Sequence, residues 1–281
     1  MSSRVAVVTD STANLPAEDL ARHGITVVPL SVVIGDRVLE EGREAGPGDV
    51  AAALQGRQQV TTSRPTPVAF AEAYAAAAAA GATEVVSLHL SAELSGTYEA
   101  AQLAAEEASV PVRVVDTRMI GLALGYCVLT AAEAVAGGAT ADQAGDLALA
   151  RAKGTTGLFY VDTLEYLRRG GRIGAARALL GSALMVKPLL HLADGRIEPL
   201  EKVRTAGRAI ARLEELAVAE AGEAPVDLAV HHLAAEDRAV ALADRLRVRV
   251  PGLRRLHVAE VSAVIGAHVG PGLLAVVVSP R

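Results

Sequence analysis

Tryptophan is absent from this chain, and cysteine occurs once, at Cys127. A lone cysteine excludes a disulfide framework and a paired-thiolate zinc site. Its setting in the apolar run MIGLALGYCVLTAA predicts a buried, unreactive thiol. Two phenylalanines and five tyrosines leave little for the stacking platforms of single-strand nucleic-acid binders. The net charge of −5, from 27 basic and 32 acidic residues, gives no general attraction to nucleic acid or anionic membrane. Neither a G-x-x-x-x-G-K-[ST] loop nor a G-x-G-x-x-G turn is present, so no nucleotide-phosphate site is expected. No His, Cys or carboxylate grouping has metal-ligand spacing, and we expect neither a metal nor a cofactor.

The N-terminal MSSR leads straight into VAVVTD, with no basic region followed by an apolar stretch of the kind a signal peptide needs. A cytoplasmic location is the expectation. The uncharged segment Val261 to Pro280 reaches the length of a membrane span, but GPG at Gly270 to Gly272 divides it into two short runs joined by a loop.

What is present is an alternation of β-rich runs and alanine-rich helical stretches. RVAVVTD precedes a helix from about Pro16, EVVSLHL one from about Gly96, and VRVVDT one from about Met119, while ITVVPLSVVI reads as a further strand. Strand followed by helix, repeated, means parallel strands with crossover helices. TDST, LHLSAELSGT and VDT end such strands and should converge at the carboxyl edge of the sheet, where ligands bind in open α/β folds. After about Arg151 the texture changes, and ADG after ALMVKPLLHL looks like a hairpin turn. With 281 residues and 51% hydrophobic content, we expect two α/β domains, residues 1–153 and 154–281.

Hydroxyl clusters carry the functional signal. In TTSRPTP, Thr66 before Pro67 has the form of a helix cap, with Phe70 and Tyr74 on one helix face. Thr61, Thr62 and Ser63 are then either a binding loop or a polar connection. In SAELSGTY, Ser95 is either a cap or part of an anion site with Ser91, Gly96 and Thr97, and neutral donors suit a carboxylate. His268, in the uncharged IGAHVGPG, is an ionisable group with small neighbours and a candidate to pair with a buried acid. His231 and His232 end a strand and pack or face solvent. Arg168, Arg169 and Arg172 around a double glycine form either a solvated turn or a lip for an anion or partner, which Lys202, Arg204 and Arg208 could extend. Arg245, Arg247, Arg249, Arg254 and Arg255 read as ordinary surface.

Taken together, TDSTANLP, TTSRPTP, LSGTY, YLRRGGRIG and IGAHVGPG resemble the DegV family, bacterial fatty-acid-binding subunits of fatty acid kinase, in order from about residue 5 to 278. The resemblance implies a two-domain α/β fold, with a parallel sheet in the N-terminal domain, antiparallel strands in the C-terminal one and a lipid pocket at their interface. It implies that Thr62, Ser95 and His268 bind the fatty-acid carboxylate, with Ser63, Gly96 and Thr97 as additional contacts. It places Arg172 at the pocket mouth, facing the kinase together with Lys202 and Arg204. The protein would bury a long-chain fatty acid and present its carboxylate to an ATP-dependent fatty acid kinase, which forms the acyl phosphate; alone it would be a carrier and no enzyme. A monomer is expected, with transient membrane contact allowed and no nucleic-acid partner. Two departures stand out: Thr66 replaces a serine, and Ala92-Glu93 brings a charge where small residues are usual. The competing readings are a serine hydrolase of acyl esters using Ser95 and His268, and a DNA-binding regulator using the arginine groups.

Overall fold

The computed structural model describes residues 4–179 and 187–281. Met1 to Ser3 and the start of the hairpin stretch, Ala183 to Val186, lie outside the described residues. The chain forms two compact units: residues up to Ser31 with Ser63–Lys153, and Val32–Thr62 with Gly154–Arg281.

In the first unit, strands Thr26–Val28, Val5–Asp10, Glu84–His89 and Val112–Asp116 lie side by side in that order, all parallel. Val7, Val8, Val85, Val86, Leu88 and Val115 are buried, so successive residues of the central strands are covered on both faces, as a parallel sheet flanked by crossover helices requires. Helix Pro67–Ala79 opens as its sequence predicts: Thr66 Oγ1 accepts from Ala69 N at 3.3 Å and Pro67 occupies the first turn. Its Phe70 and Tyr74 pack with Val8, Val28 and Val85 and with the small face Ala100, Ala101 and Ala104 of helix Thr97–Glu106. Burial of a ring such as Phe70 contributes about 2–3 kcal/mol.

The three strand ends converge. Thr117 Oγ1 donates to His89 O at 2.8 Å, Ala92 N to Asp116 Oδ1 at 3.2 Å and Gly121 N to Thr12 O at 2.9 Å. Helix Leu122–Ala136 starts three residues later than its apolar pattern suggests, because Arg118 and Gly121 adopt φ of 56° and 65° and hold Thr117 to Gly121 in a turn.

The second unit contains a six-stranded mixed sheet in the order Arg196–Val203, Lys187–Ala193, Thr156–Tyr160, Leu274–Pro280, Val226–His232, Leu253–Glu260. Neighbours are antiparallel except the last pair, which is parallel. The ADG turn is a two-residue hairpin with φ of 47° at Asp194 and 80° at Gly195, a backbone that Asp-Gly suits. Helices Ala206–Ala221 and Glu236–Arg249 bury Leu213, Ala217, Leu242 and Leu246 against Val230 and Val276. Val261 to Pro280 resolves into helix Ala263–Val269, a glycine turn and strand Leu274–Pro280, and no helix among the described residues is long and apolar enough to cross a membrane.

Three expectations are corrected. ITVVPLSVVI is two strands: Pro29 lacks the amide hydrogen a continuous ladder needs, so Thr26–Val28 stays in the parallel sheet while Ser31–Ile34 joins Arg37–Glu40 and Val60–Ser63 in a separate three-stranded sheet. Residues 32–62, assigned by continuity to the N-terminal domain, group with the second unit. The reason lies in their contacts: helix Pro47–Gln55 packs on helix Ala263–Val269, and the buried Glu41 accepts a 2.6 Å hydrogen bond from Val264 N. Finally, Arg245 and Arg249 are not ordinary surface, since they donate at 2.6 and 2.7 Å to the two oxygens of Glu214, which is 6% exposed.

Burial opposes ionisation of Glu214, yet the hydrogen bonds from Arg245 and Arg249 outweigh it and hold the carboxyl below its ordinary value. Glu214→Gln is expected to destabilise the protein by about 1–2 kcal/mol, a modest loss because both guanidinium groups are half exposed. Urea unfolding checks this. Because the folded-state pKa is depressed, the wild-type advantage is full above the ordinary value of 4.5 and shrinks as the pH falls through the lowered one. Equal midpoints at neutral pH would show that the clamp contributes nothing.

Candidate functional site

Thr62 ends the second unit's excursion through residues 32–62, in strand Val60–Ser63. His268 stands in the last turn of helix Ala263–Val269, whose start is fastened by Ser262 Oγ accepting from Ile265 N at 3.4 Å and by Glu41 on Val264 N. These two anchors bring Thr62 Oγ1 within 2.9 Å of His268 Nε2. Gly170 packs against the other side of the ring. A side-chain carbon there would lie 2.1 Å from His268 Nδ1, so any other residue would displace the imidazole.

Burial, followed by the nearby charge of Arg172, lowers the His268 pKa from 6.5 to about 4, so the ring is neutral at physiological pH. Its Nδ1 is buried with no hydrogen-bond partner among the described residues. A hydrogen on that nitrogen would be an orphaned buried donor, whereas a bare lone pair is the less costly vacancy. The hydrogen therefore belongs on Nε2, which donates to Thr62 Oγ1. Thr62 then has its own hydroxyl hydrogen free for an acceptor.

Beside this pair is a cavity of about 550 Å³, inside the range of roughly 300–1,000 Å³ common for small-molecule sites. Besides Thr62 and His268, its lining includes Thr61, Tyr166, Arg57, Arg169 and Arg172. Arg172 Nη1 donates to Gly170 O at 2.6 Å, which holds it near His268. Lys202 and Arg204 are exposed and are not among the lining residues. Arg57, which sequence reasoning missed, follows helix Pro47–Gln55 and takes a left-handed φ of 59°. Nothing in GRQQV singled it out.

The first unit holds the second hydroxyl cluster. Ser95 does not cap helix Thr97–Glu106; Gly96 is the cap residue, and Ser95 Oγ instead pairs with Thr97 Oγ1 at 2.9 Å. The Arg64 side chain lies over Gly96, where an added carbon would sit 1.8 Å from Nη1. Ser63 is exposed, with its hydroxyl on the Arg64 carbonyl at 3.3 Å, and Glu93 is exposed. Ser95 is half-buried and Thr97 fully buried.

Deeper in this unit runs a line of polar groups whose linkage nothing in the sequence indicated. Tyr74 Oη donates to Ser87 Oγ at 2.9 Å, and Ser87 Oγ lies 2.7 Å from His89 Nε2. His89 Nδ1 lies 3.0 Å from Asp10 Oδ2, which also accepts from Leu90 N. The order carboxylate, imidazole, hydroxyl is that of a hydrolase triad, but Asp10, Ser87 and His89 are all 0% exposed, and burial pushes the Tyr74 phenol up to about 12. A substrate cannot reach it, so this line is structural. Burial likewise pushes the Cys127 thiol up to about 12 and leaves it unreactive. Among the described residues no group of three or more His, Cys, Asp or Glu could hold a metal ion.

Comparison with known proteins shows what the chain as a whole is similar to. The family described as "Uncharacterised protein, DegV family" matches residues 4–281. A DegV domain-containing protein of Streptomyces coelicolor is 69% identical over the full length of both chains, and protein DegV of Bacillus subtilis is 34% identical over 97% of this chain and 98% of its own. Among solved structures, a DegV family protein from Thermus thermophilus described for its fatty acid binding superposes with a TM-score of 0.93 at 34% identity, covering 99% of this chain and 100% of that one. DegV from Bacillus subtilis, described as a fatty acid binding protein, gives 0.92 at 32% identity with full coverage of both.

The His268 ring is expected to titrate near pH 4 in NMR of ring-labelled protein, and Arg172→Ala to raise that midpoint while leaving it below 6.5, because burial is the larger cause. A midpoint near 6.5 in the wild type would overturn the assignment of a desolvated neutral imidazole.

Proposed function

The chain belongs to the DegV family, and from that premise we propose that it is a fatty-acid-binding protein that carries a long-chain fatty acid and is no enzyme by itself. The observation that carries the reading is the Thr62 and His268 pair, a neutral donor chain ending in a free hydroxyl hydrogen beside a cavity. A carboxylate accepts from such a hydroxyl without requiring a buried, desolvated cation. The hydroxyl bonded to His268 is Thr62, so the hydrolase reading gains no support from this imidazole.

Affinity would then come from the tail. Burying about fourteen methylenes at ~0.8 kcal/mol each yields ~11 kcal/mol, against an association cost of roughly 4–15 kcal/mol. A few neutral hydrogen bonds suffice to orient the head group. On the strength of the family resemblance, Ser95 is a further carboxylate donor, with Ser63, Gly96 and Thr97 contributing around it.

The finer proposal is that the bound carboxylate is presented to an ATP-dependent fatty acid kinase in the cytoplasm. A carboxylate oxygen attacks the γ-phosphorus of ATP, the new O–P bond forms, ADP departs, and the acyl phosphate leaves with the carrier. Arg172 at the cavity rim and the exposed Lys202 and Arg204 would face the kinase.

Native mass spectrometry of protein purified from a bacterial host, followed by organic extraction, is expected to show one co-purifying long-chain fatty acid. Thr62→Ala and Ser95→Ala should each reduce its occupancy, a lost carboxylate hydrogen bond costing about 1.5–3 kcal/mol or roughly tenfold to a hundredfold in affinity. Protein that carries no lipid and takes up none when offered would refute the proposal. Separately, Arg172→Ala is expected to bind fatty acid normally and to support little phosphorylation by the cognate kinase; unchanged turnover would remove Arg172 from the presentation role.

A further inference from the structure

The cavity beside Thr62 and His268 contains more positive charge than a carboxylate needs. Its lining holds three guanidinium groups, Arg57, Arg169 and Arg172, together with the neutral donors Gln58, Gln59, Thr61 and Thr62, and no carboxylate among the described residues. A fatty-acid head group has a single negative charge, whereas a phosphate carries close to two near neutral pH and offers three strong acceptor oxygens.

Two of the arginines are already engaged. Arg169 Nε donates to Glu165 Oε1 at 2.7 Å, and Arg172 Nη1 donates to the Gly170 carbonyl. The Arg57 side chain has no ion pair or hydrogen bond among the described residues. The backbone that carries it is fixed, because Arg57 N donates to Leu54 O at 3.1 Å and Gly35 N to Gln59 O at 3.1 Å on either side of the turn. Its φ of 59° is one that glycine adopts freely and arginine does not, so the side chain stands here against the local backbone preference.

We propose that this cavity is a phosphate subsite and that Arg57 is its charge-determining residue, so that the protein grips a phosphorylated acyl head group more tightly than the parent carboxylate. The proposal rests on the fatty-acid reading above. Thr62 and His268 hold the oxygen shared by both head groups, and Arg57 meets the added phosphate, where a planar guanidinium makes paired hydrogen bonds.

The test uses delipidated full-length protein and displacement of a fluorescent fatty acid by hexadecanoate and by hexadecyl phosphate at low ionic strength. Arg57→Gly is the variant of choice, because it removes the charge and relieves the left-handed backbone; its Tm should equal or exceed that of the wild type. The expected result is a loss of roughly fivefold or more in hexadecyl phosphate affinity with hexadecanoate within about twofold, and partial recovery in Arg57→Lys. Equal losses for both ligands, or no loss for either, would overturn the assignment. Failure of the wild type to bind the fluorescent probe would instead remove the fatty-acid reading, and the subsite with it.

Discussion

The hydrogen bond between Thr62 and His268 joins residues 206 apart in sequence, and much of the second unit serves to make it. An imidazole buried at the end of a seven-residue helix cannot hold its orientation by itself. Glu41 and Ser262 fix the helix start, Gly170 leaves space for the ring, and helix Pro47–Gln55 packs against the same element. Desolvation then keeps the ring neutral, and the absence of a partner at Nδ1 among the described residues sets the direction of the remaining hydrogen bond. A neutral, oriented donor chain is thus a consequence of packing. The detour of residues 32–62 into the second unit is its topological cost.

The first unit solves a different problem. A parallel sheet gathers its carboxyl-end loops at one edge, and those loops need polar groups to tie them down. Asp10 collects donors from the Thr12 and Leu90 amides and lies against His89, while Ser87 and Tyr74 extend the line into the core. Every member is satisfied, which is the condition for burying such groups without a large penalty. The same edge leaves Ser95 and Thr97 paired with one another, beside the guanidinium of Arg64 over Gly96.

Charge is distributed by function in the second unit. Glu214 neutralises Arg245 and Arg249 between two core helices, and Glu165 neutralises Arg168 and Arg169 on one exposed turn. The cavity lining is the contrast, with Arg57 unmatched among the described residues and Arg172 held by a carbonyl. A surplus of positive charge next to neutral donors suits anionic head groups, and it is compatible with a chain whose net charge is −5.

Much of this was readable in the sequence because it depends on short-range rules. Strand and helix periods, the Thr66-Pro67 start, the Asp194-Gly195 turn and the inert setting of Cys127 all follow from residues a few positions apart. The hydroxyl clusters and His268 were legible as candidates for the same reason: polar groups stand out among small apolar neighbours. Other features were set only by tertiary structure. Whether Ser95 caps a helix, which hydroxyl meets His268, why residues 32–62 leave the first unit and why Arg57 lines the cavity all depend on groups far apart along the chain. Local pattern determines what each segment can be, because backbone sterics and side-chain period act over one or two turns. The partner of a buried hydrogen bond and the charge state it imposes are decided by which segments exclude water together, and that emerges only when the chain is folded.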